Sequence, residues 1–156
     1  MDYSEEALLR DKRFNAKLAN LYGRNASHPA DQVAVANIKY GGRLGNRMGT
    51  MDGWERRGRG PIQVTGLANQ TDCQDYLAKL GVIADLRRNP ELLSTSMQVA
   101  ALSTVWYWDT RHINAFADAA DVEGATRAIN GGTNGLKERK EHYINDIEIL
   151  KTYGMV

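Results

Sequence analysis

The sequence predicts a mainly α-helical fold with one small β element. Three observations carry that expectation. Apolar residues recur at the 3.6-residue helical period over most of the chain. Residues suited to starting and stopping helices stand at the ends of those stretches. One short segment, Ile62-Gln63-Val64-Thr65, alternates apolar and polar side chains as a half-buried strand does.

Ser4 followed by Glu5 and Glu6 opens the first helix. A serine N-cap accepts from an orphan N–H, and acids in the first turn suit the helix dipole. Ala7, Leu8, Leu9, Phe14, Leu18 and Leu21 continue it as a broken stripe ending at Tyr22-Gly23. Arg24 to Pro29 reads as a loop. Asp31 caps a second helix through Val33, Ala34, Val35, Ile38 and Tyr40. Gly41 to Gly60 holds seven glycines and little periodicity, which in a compact fold marks a functional or mobile segment. Gln70 to Leu80 is helical by the spacing of Cys73, Tyr76, Leu77 and Leu80, with Gly81 as its stop. Asn89-Pro90 starts a long central helix. Its apolar face is Leu92, Leu93, Met97, Ala100, Ala101, Thr104, Val105 and Trp108, with Leu93, Met97, Ala101 and Val105 expected in the core. Ile113-Asn114 leads into Phe116, Ala117 and an acidic turn with Asp118 and Asp121. Asp121 caps Val122 to Ile129. Asn130 to Gly135 is a second glycine loop. The last helix runs from Leu136 to about Tyr153 and is expected to bury Tyr143, Ile147 and Leu150.

At 156 residues the chain fits a single domain, 1–156, with no repeat or linker inside it. Charged residues are 25% and hydrophobic ones 42%, the balance of a globular protein. A net charge of +1 supplies no bulk field to recruit nucleic acid or a membrane. Cys73 is the sole cysteine, which excludes an internal disulfide and a cysteine-based zinc site. No apolar run approaches the roughly 20 residues of a membrane span. The start, Met1-Asp-Tyr-Ser-Glu-Glu, lacks the basic and apolar parts of a signal peptide. A cytoplasmic location as synthesised is expected.

Asp52 to Gly66 is the stretch richest in chemistry. It holds four glycines, three arginines and a Trp. Gln63 and Thr65 place two neutral hydrogen-bonding side chains on one face, which suits a neutral polar ligand such as a sugar. Arg56, Arg57 and Arg59 suit an anion, or equally hold the loop through carbonyls and carboxylates. His28, His112 and His142 lie too far apart for a helical metal pair, so no metal is expected. Cys73 reads as core rather than nucleophile. Gly41-Gly-Arg-Leu-Gly45 is not a phosphate loop, because no Lys-Ser/Thr pair follows it. Of the adjacent Trp106, Tyr107 and Trp108, one is expected in the core and another as an aromatic wall for a sugar ring. Asn130 is a ligand candidate, because its amide donates and accepts and glycines follow it; it serves equally to hold a turn.

Several motifs in this order resemble those of the family 19 glycoside hydrolases, which comprise plant-type chitinases and related bacteriophage endolysins. They are Asp52-Gly-Trp54, Gly58-Arg-Gly-Pro-Ile-Gln63, Thr65-Gly66 and Asn69. Tyr40-Gly-Gly-Arg-Leu-Gly-Asn46, and Trp106-Tyr-Trp108 with Ile113-Asn114, are similar to the endolysin branch. Ile129 to Leu136 with Arg139 is similar to a later family motif. The resemblance implies a lysozyme-like, two-lobed, mainly helical fold with a glycan cleft. It implies that Gln63 and Thr65 line the cleft floor, that Asn69 and Asn130 hydrogen-bond sugar, and that Arg139 is a nearby charge partner. The implied reaction inverts the anomeric centre, using a general acid and a general base on opposite sides of the bond. No cofactor is implied.

The sequence departs from the pattern at the acids. The endolysins carry the general acid in a His-Glu-x-Gly-Gly segment and the second carboxylate just before Asn-Leu-Asn-Tyr-Ser. The latter run aligns with Met1-Asp2-Tyr3-Ser4, so both glutamates are expected before residue 1. No His-Glu pair with trailing glycines occurs in the chain. Glu55, where the family usually has a basic or polar residue, is the remaining catalytic candidate. Gln70 replaces a family tyrosine. Two function classes follow. One is a glycosidase-like domain directed at β-1,4-linked N-acetylhexosamine glycans (peptidoglycan or chitin), with impaired hydrolysis. The other is a non-catalytic phage- or prophage-type scaffold that binds a glycan or a bacterial protein.

Overall fold

Local capping sets the helix boundaries. In the computed structural model, which describes residues 2–155, the Ser4 hydroxyl accepts from the Ala7 amide at 3.2 Å and opens α1 (Glu5–Leu9). Met1 and Val156 lie outside the described residues, and with Met1 the first position of the aligned Met1-to-Ser4 run. The expected stripe from Ala7 to Leu21 is two helices rather than one. Asp11 breaks it: its carboxylate accepts from the Arg13 backbone and guanidinium and pairs with Lys39 at 3.3 Å. Asn15 then caps α2 (Ala16–Tyr22). Asp31 caps α3 (Gln32–Tyr40) through the Ala34 amide. Leu8, Phe14, Ala19 and Val35 form the core beneath these three helices, with Tyr3, Leu18, Tyr22 and Ile38 against it.

The glycine-rich segment contains one helical turn, α4 (Asp52–Glu55), packed on α3. α5 (Leu67–Lys79) begins three residues before the expected Gln70. Gly66, at φ 86°, turns the chain into it, and the buried Asn46 carboxamide accepts from the Leu67 amide at 3.0 Å. Cys73 and Leu77 are fully buried on its inner face.

The expected central helix from Pro90 is also two elements, α6 (Leu92–Thr95) and α7 (Met97–Thr110). Ser96 adopts extended angles, φ −105° and ψ 114°, and the helix restarts after it. The restart changes which face is buried. Leu93 is buried as expected, but Met97 is 88% exposed, Val105 47% exposed, and Ala101 is exposed. Val99, Ser103 and Trp106 take the buried face instead. Ser103 reads as polar, yet its hydroxyl donates to the Ala100 carbonyl at 2.7 Å, so burying it leaves no unmet hydrogen bond.

The chain divides into two compact units, the first ending at Trp106 and the second starting at Tyr107. The second unit contains the end of α7 and α8 (Ile113–Asp118), α9 (Val122–Asn130) and α10 (Leu136–Thr152). Asp121 caps α9 through the Gly124 amide. No residue of α10 is buried: Tyr143 is 39% exposed, and Ile147 and Leu150 are half-buried. The expected burial of that face is therefore partial.

Regular strand is nearly absent among the described residues. Ile62 to Thr65 is a turn followed by a single antiparallel bridge between Arg59 and Val64. Gln63 sits at φ 58°, in the left-handed region that a strand does not use. No described helix is long and apolar enough to cross a membrane.

Candidate functional site

The loop from Arg47 to Gly66 is held by its own charges. Asp52 is 2% exposed and accepts from the Arg47 backbone amide, Nε and Nη2 at 2.9, 3.0 and 2.9 Å. The Arg47 guanidinium holds its carboxyl well below the usual carboxylate range. A carboxyl lowered by folding stabilises the protein above its unfolded pKa, and that contribution is lost as pH falls through the folded value. Asp52→Asn is expected to cost about 2 kcal/mol near neutral pH. The parent should then lose more stability than the variant below about pH 4. Urea unfolding at pH 7 and pH 3 reads both effects.

The three arginines of this stretch are built into the loop. Arg56 Nη1 donates to the Gln70 side-chain oxygen at 2.9 Å and to the Leu86 carbonyl at 3.3 Å. Gln70 is fully buried, so the residue that departs from the family tyrosine serves as an internal partner for Arg56. Arg59 donates to the Glu55 and Arg57 carbonyls at 2.6 and 3.2 Å and pairs with Glu91. Arg57 lies over the Trp54 ring, 3.9 Å from its centroid, and donates to the Trp54 carbonyl.

This frame borders an open hollow of about 400 Å³. Gln63 and Thr65 line it, together with Tyr3, Gln32, Tyr40 and Arg57. The Gln63 amide NH₂ donates to the Gly60 carbonyl at 2.9 Å, and the Thr65 hydroxyl donates to the Gln63 carbonyl at 2.8 Å. The second Gln63 N–H, the Gln63 side-chain oxygen and the Thr65 hydroxyl lone pairs remain for a ligand. Gly58 makes room for them. A Cβ there would stand 2.7 Å from the Gln63 side-chain oxygen and 3.1 Å from the Thr65 hydroxyl. Asp2 is the sole carboxylate among the described lining residues, and it pairs with Arg24 at 2.8 Å. Tyr3 and Gln32 are missed by sequence reasoning, since nothing local marks residues so distant in the chain as neighbours of Gln63. Tyr40 carried a signal, as the first residue of Tyr40-Gly-Gly.

Asn69 and Glu55, in the same unit, do not line this hollow. Asn69, in the first turn of α5, donates from its side chain to the Thr65 carbonyl at 2.8 Å. Glu55 is exposed and lines a different hollow, with Trp54 and Arg57. In the second unit, Asn130 and Arg139 both donate to the Asn134 carbonyl, at 3.0 and 2.7 Å, and so close the 130–135 loop. Trp106 is buried, while Trp108 is 39% exposed and its ring N–H donates to Asn114 at 2.7 Å. His28 is held locally, with Nδ1 2.8 Å from the Pro29 carbonyl and Nε2 3.2 Å from both the Asn20 carbonyl and the Asn25 side-chain nitrogen. Burial pushes the Cys73 thiol up to about 12, so it is inert as a nucleophile at neutral pH. Among the described residues, no group of His, Cys, Asp or Glu is placed to hold a metal ion.

Comparison with known proteins finds similarity to proteins of glycosyl hydrolase family 19 and to endochitinases. No family model matches the chain. It is 38% identical over 112 residues to a glycosyl hydrolase family 19 domain-containing protein of Haemophilus influenzae, covering 70% of this chain and 50% of that protein. It is 40% identical over 99 residues to an acidic endochitinase of Petunia hybrida, covering 60% of this chain and 35% of that one. It is 39% identical over 72 residues to an acidic 27 kDa endochitinase of Solanum lycopersicum, covering 46% and 26%. The chain resembles family 19, and it spans half or less of the length of these relatives.

Proposed function

We propose that this chain is a chitinase-like glycan-recognition domain that binds β-1,4-linked N-acetylhexosamine chains and hydrolyses them poorly or not at all. The observation that carries this reading is the hollow lined by Gln63, Thr65, Tyr3 and Tyr40. It offers the acceptors a sugar's hydroxyl and acetamido N–H groups need, beside tyrosine rings suited to an apolar sugar face. The similarity to family 19 proteins and endochitinases supports the same ligand class. Poor hydrolysis follows from the acids. Inversion needs two opposed carboxyl groups, and Asp2, already paired with Arg24, is the one carboxylate among the described lining residues. Loss of one proton-transfer group removes about 10²–10⁴-fold of rate.

Titration with an N-acetylglucosamine oligomer, followed by NMR, tests the reading. Each hydrogen bond to a neutral sugar contributes about 0.5–1.5 kcal/mol, so affinity is expected to be roughly millimolar. Shifts should centre on Gln63 and Thr65 and vanish in Gln63→Ala. Gly58→Ala should weaken binding about threefold or more, the equivalent of one such hydrogen bond, because its methyl displaces the Gln63 carboxamide. No shifts at high oligomer concentration would reject glycan binding. Robust turnover abolished by Glu55→Gln would make Glu55 a catalytic acid and overturn the second half of the reading.

The alternative, a phage- or prophage-type scaffold for a bacterial protein partner, rests on the resemblance to the endolysin branch alone. It becomes the better reading if the oligomer leaves every resonance unmoved.

A further inference from the structure

The sequence pairs an asparagine with a following glycine twice, at Asn130-Gly131 and Asn134-Gly135. The pairs stand at the two ends of the connection between α9 and α10. Such a pair has its own chemistry. Glycine lacks a Cβ, so its backbone nitrogen can approach the preceding carboxamide carbon closely. Both asparagines are exposed. The two pairs are alike in sequence and differ in what the fold puts around them.

At Asn130 the reacting groups are tied down. Its carboxamide nitrogen donates to the Asn134 carbonyl at 3.0 Å, and the Gly131 amide donates to the Arg127 carbonyl at 2.9 Å. Asn130 is the last residue of α9, where the negative end of the helix dipole disfavours charge on the Gly131 nitrogen. At Asn134 neither group is held. Its carboxamide and the Gly135 amide make no hydrogen bond among the described residues. Gly135 is the N-cap of α10, a helix of 17 residues, and so lies at the positive end of a dipole. Arg139 adds a second positive charge. Its guanidinium donates to the Asn134 carbonyl at 2.7 Å, and its Nη1 would stand 3.1 Å from a Cβ on Gly135. Both charges favour a deprotonated Gly135 nitrogen and the oxyanion that forms when it attacks.

We propose that Asn134 is a site of spontaneous deamidation through a succinimide, and that the fold protects Asn130 from the same reaction. The deprotonated Gly135 nitrogen attacks Cγ of Asn134. A C–N bond forms, the bond from Cγ to Nδ2 breaks, and ammonia leaves with a proton from water. Water then opens the ring. Cleavage at Cγ gives aspartate on the original backbone. Cleavage at the main-chain carbonyl gives isoaspartate, with the chain running through Cβ and Cγ. Nothing is oxidised or reduced. Either product carries a new negative charge beside Arg139, which cancels the chain's formal net charge of +1. Isoaspartate also adds a methylene to the backbone and moves the carbonyl on which Asn130 and Arg139 both rest. Conversion therefore resets the 130–135 loop.

Incubation of the whole chain at mildly alkaline pH, followed by peptide mapping and isoelectric focusing, tests this. Conversion at Asn134 is expected to run about tenfold or more faster than at Asn130, whose pair must first give up two hydrogen bonds. In urea, which removes the fold, both should convert at comparable rates. Asn134→Gln should abolish the main acidic species, because glutamine has a larger ring to close, and leave the Asn130 rate unchanged. Asn134→Asp carries the aspartate product from the start and is expected to shift the Arg139 Nε–H resonance. Equal rates in the folded chain, or faster conversion at Asn130, would overturn the proposed selectivity. A folded chain stable at Asn134 while the urea sample converts would overturn the site itself. A rate difference that persists in urea would belong to local sequence and overturn the role of the fold. An unmoved Arg139 resonance in Asn134→Asp would overturn the link to the loop.

Discussion

Arg59→Met is expected to destabilise the protein by about 3 kcal/mol. Methionine keeps most of the side chain's length and apolar contact, so the loss isolates what the guanidinium does. Arg59 is 5% exposed and reaches back to the carbonyls of Glu55 and Arg57, closing the turn after α4. Its other arm carries Glu91, the residue before α6. Without it, two carbonyls of a partly buried loop lose their partner, and the connection between this loop and the α6 start is cut. Arg88→Ala, which removes a solvated guanidinium paired at 3.8 Å, should stay within about 0.5 kcal/mol of the parent. Urea midpoints at unchanged slope compare the two. An Arg59→Met midpoint equal to that of Arg88→Ala would show that the loop is held by something else.

That pair also marks where sequence reading reached and where it stopped. The caps at Ser4, Asp31 and Asp121 were legible, because an N-cap acts on amides two or three residues away. The α-helical class followed from them and from the apolar period. The break at Asp11 was not legible, since it depends on Lys39 arriving from α3. Nor was the phase of α7. One extended residue, Ser96, resets the helix and turns Met97 and Val105 outward, and hydropathy does not register one residue's backbone angles. Around the site, the face shared by Gln63 and Thr65 was legible in the apolar/polar alternation, although that alternation signals a strand. The structure gives them a turn with Gln63 in the left-handed region. The arginines were the open case, suited to an anion or to the loop. Arg56 and Arg59 hold the loop, a result set by the positions of Gln70, Leu86 and Glu91, 14 to 32 residues along the chain.

Gly53→Ala is expected to cost about 3 kcal/mol, at the upper end of the range for overpacking. Gly53 lies inside α4 where that turn meets α3. A Cβ there would stand 2.6 Å from the Ala36 carbonyl oxygen and from the Asn37 Cα, and 2.9 Å from the Asn37 side-chain oxygen. Two of those three atoms are backbone in the body of α3, so no flexible side chain can move aside to relieve the contact. The two helices would have to separate. Separation would also break the hydrogen bond from the Trp54 amide to the Asn37 side-chain oxygen, now 2.8 Å, and shift the Trp54 ring on which Arg57 rests. A glycine elsewhere gives the control. A Cβ at Gly132 meets nothing within 4 Å, and the residue is not in the left-handed region, so Gly132→Ala should change stability by no more than about 0.5 kcal/mol. Thermal unfolding should separate the two by roughly 6–12 °C, since about 3 kcal/mol divides by the unfolding entropy of a domain of this size. Equal melting temperatures would mean that α3 and α4 are not in the close contact described, and would remove the support beneath both hollows.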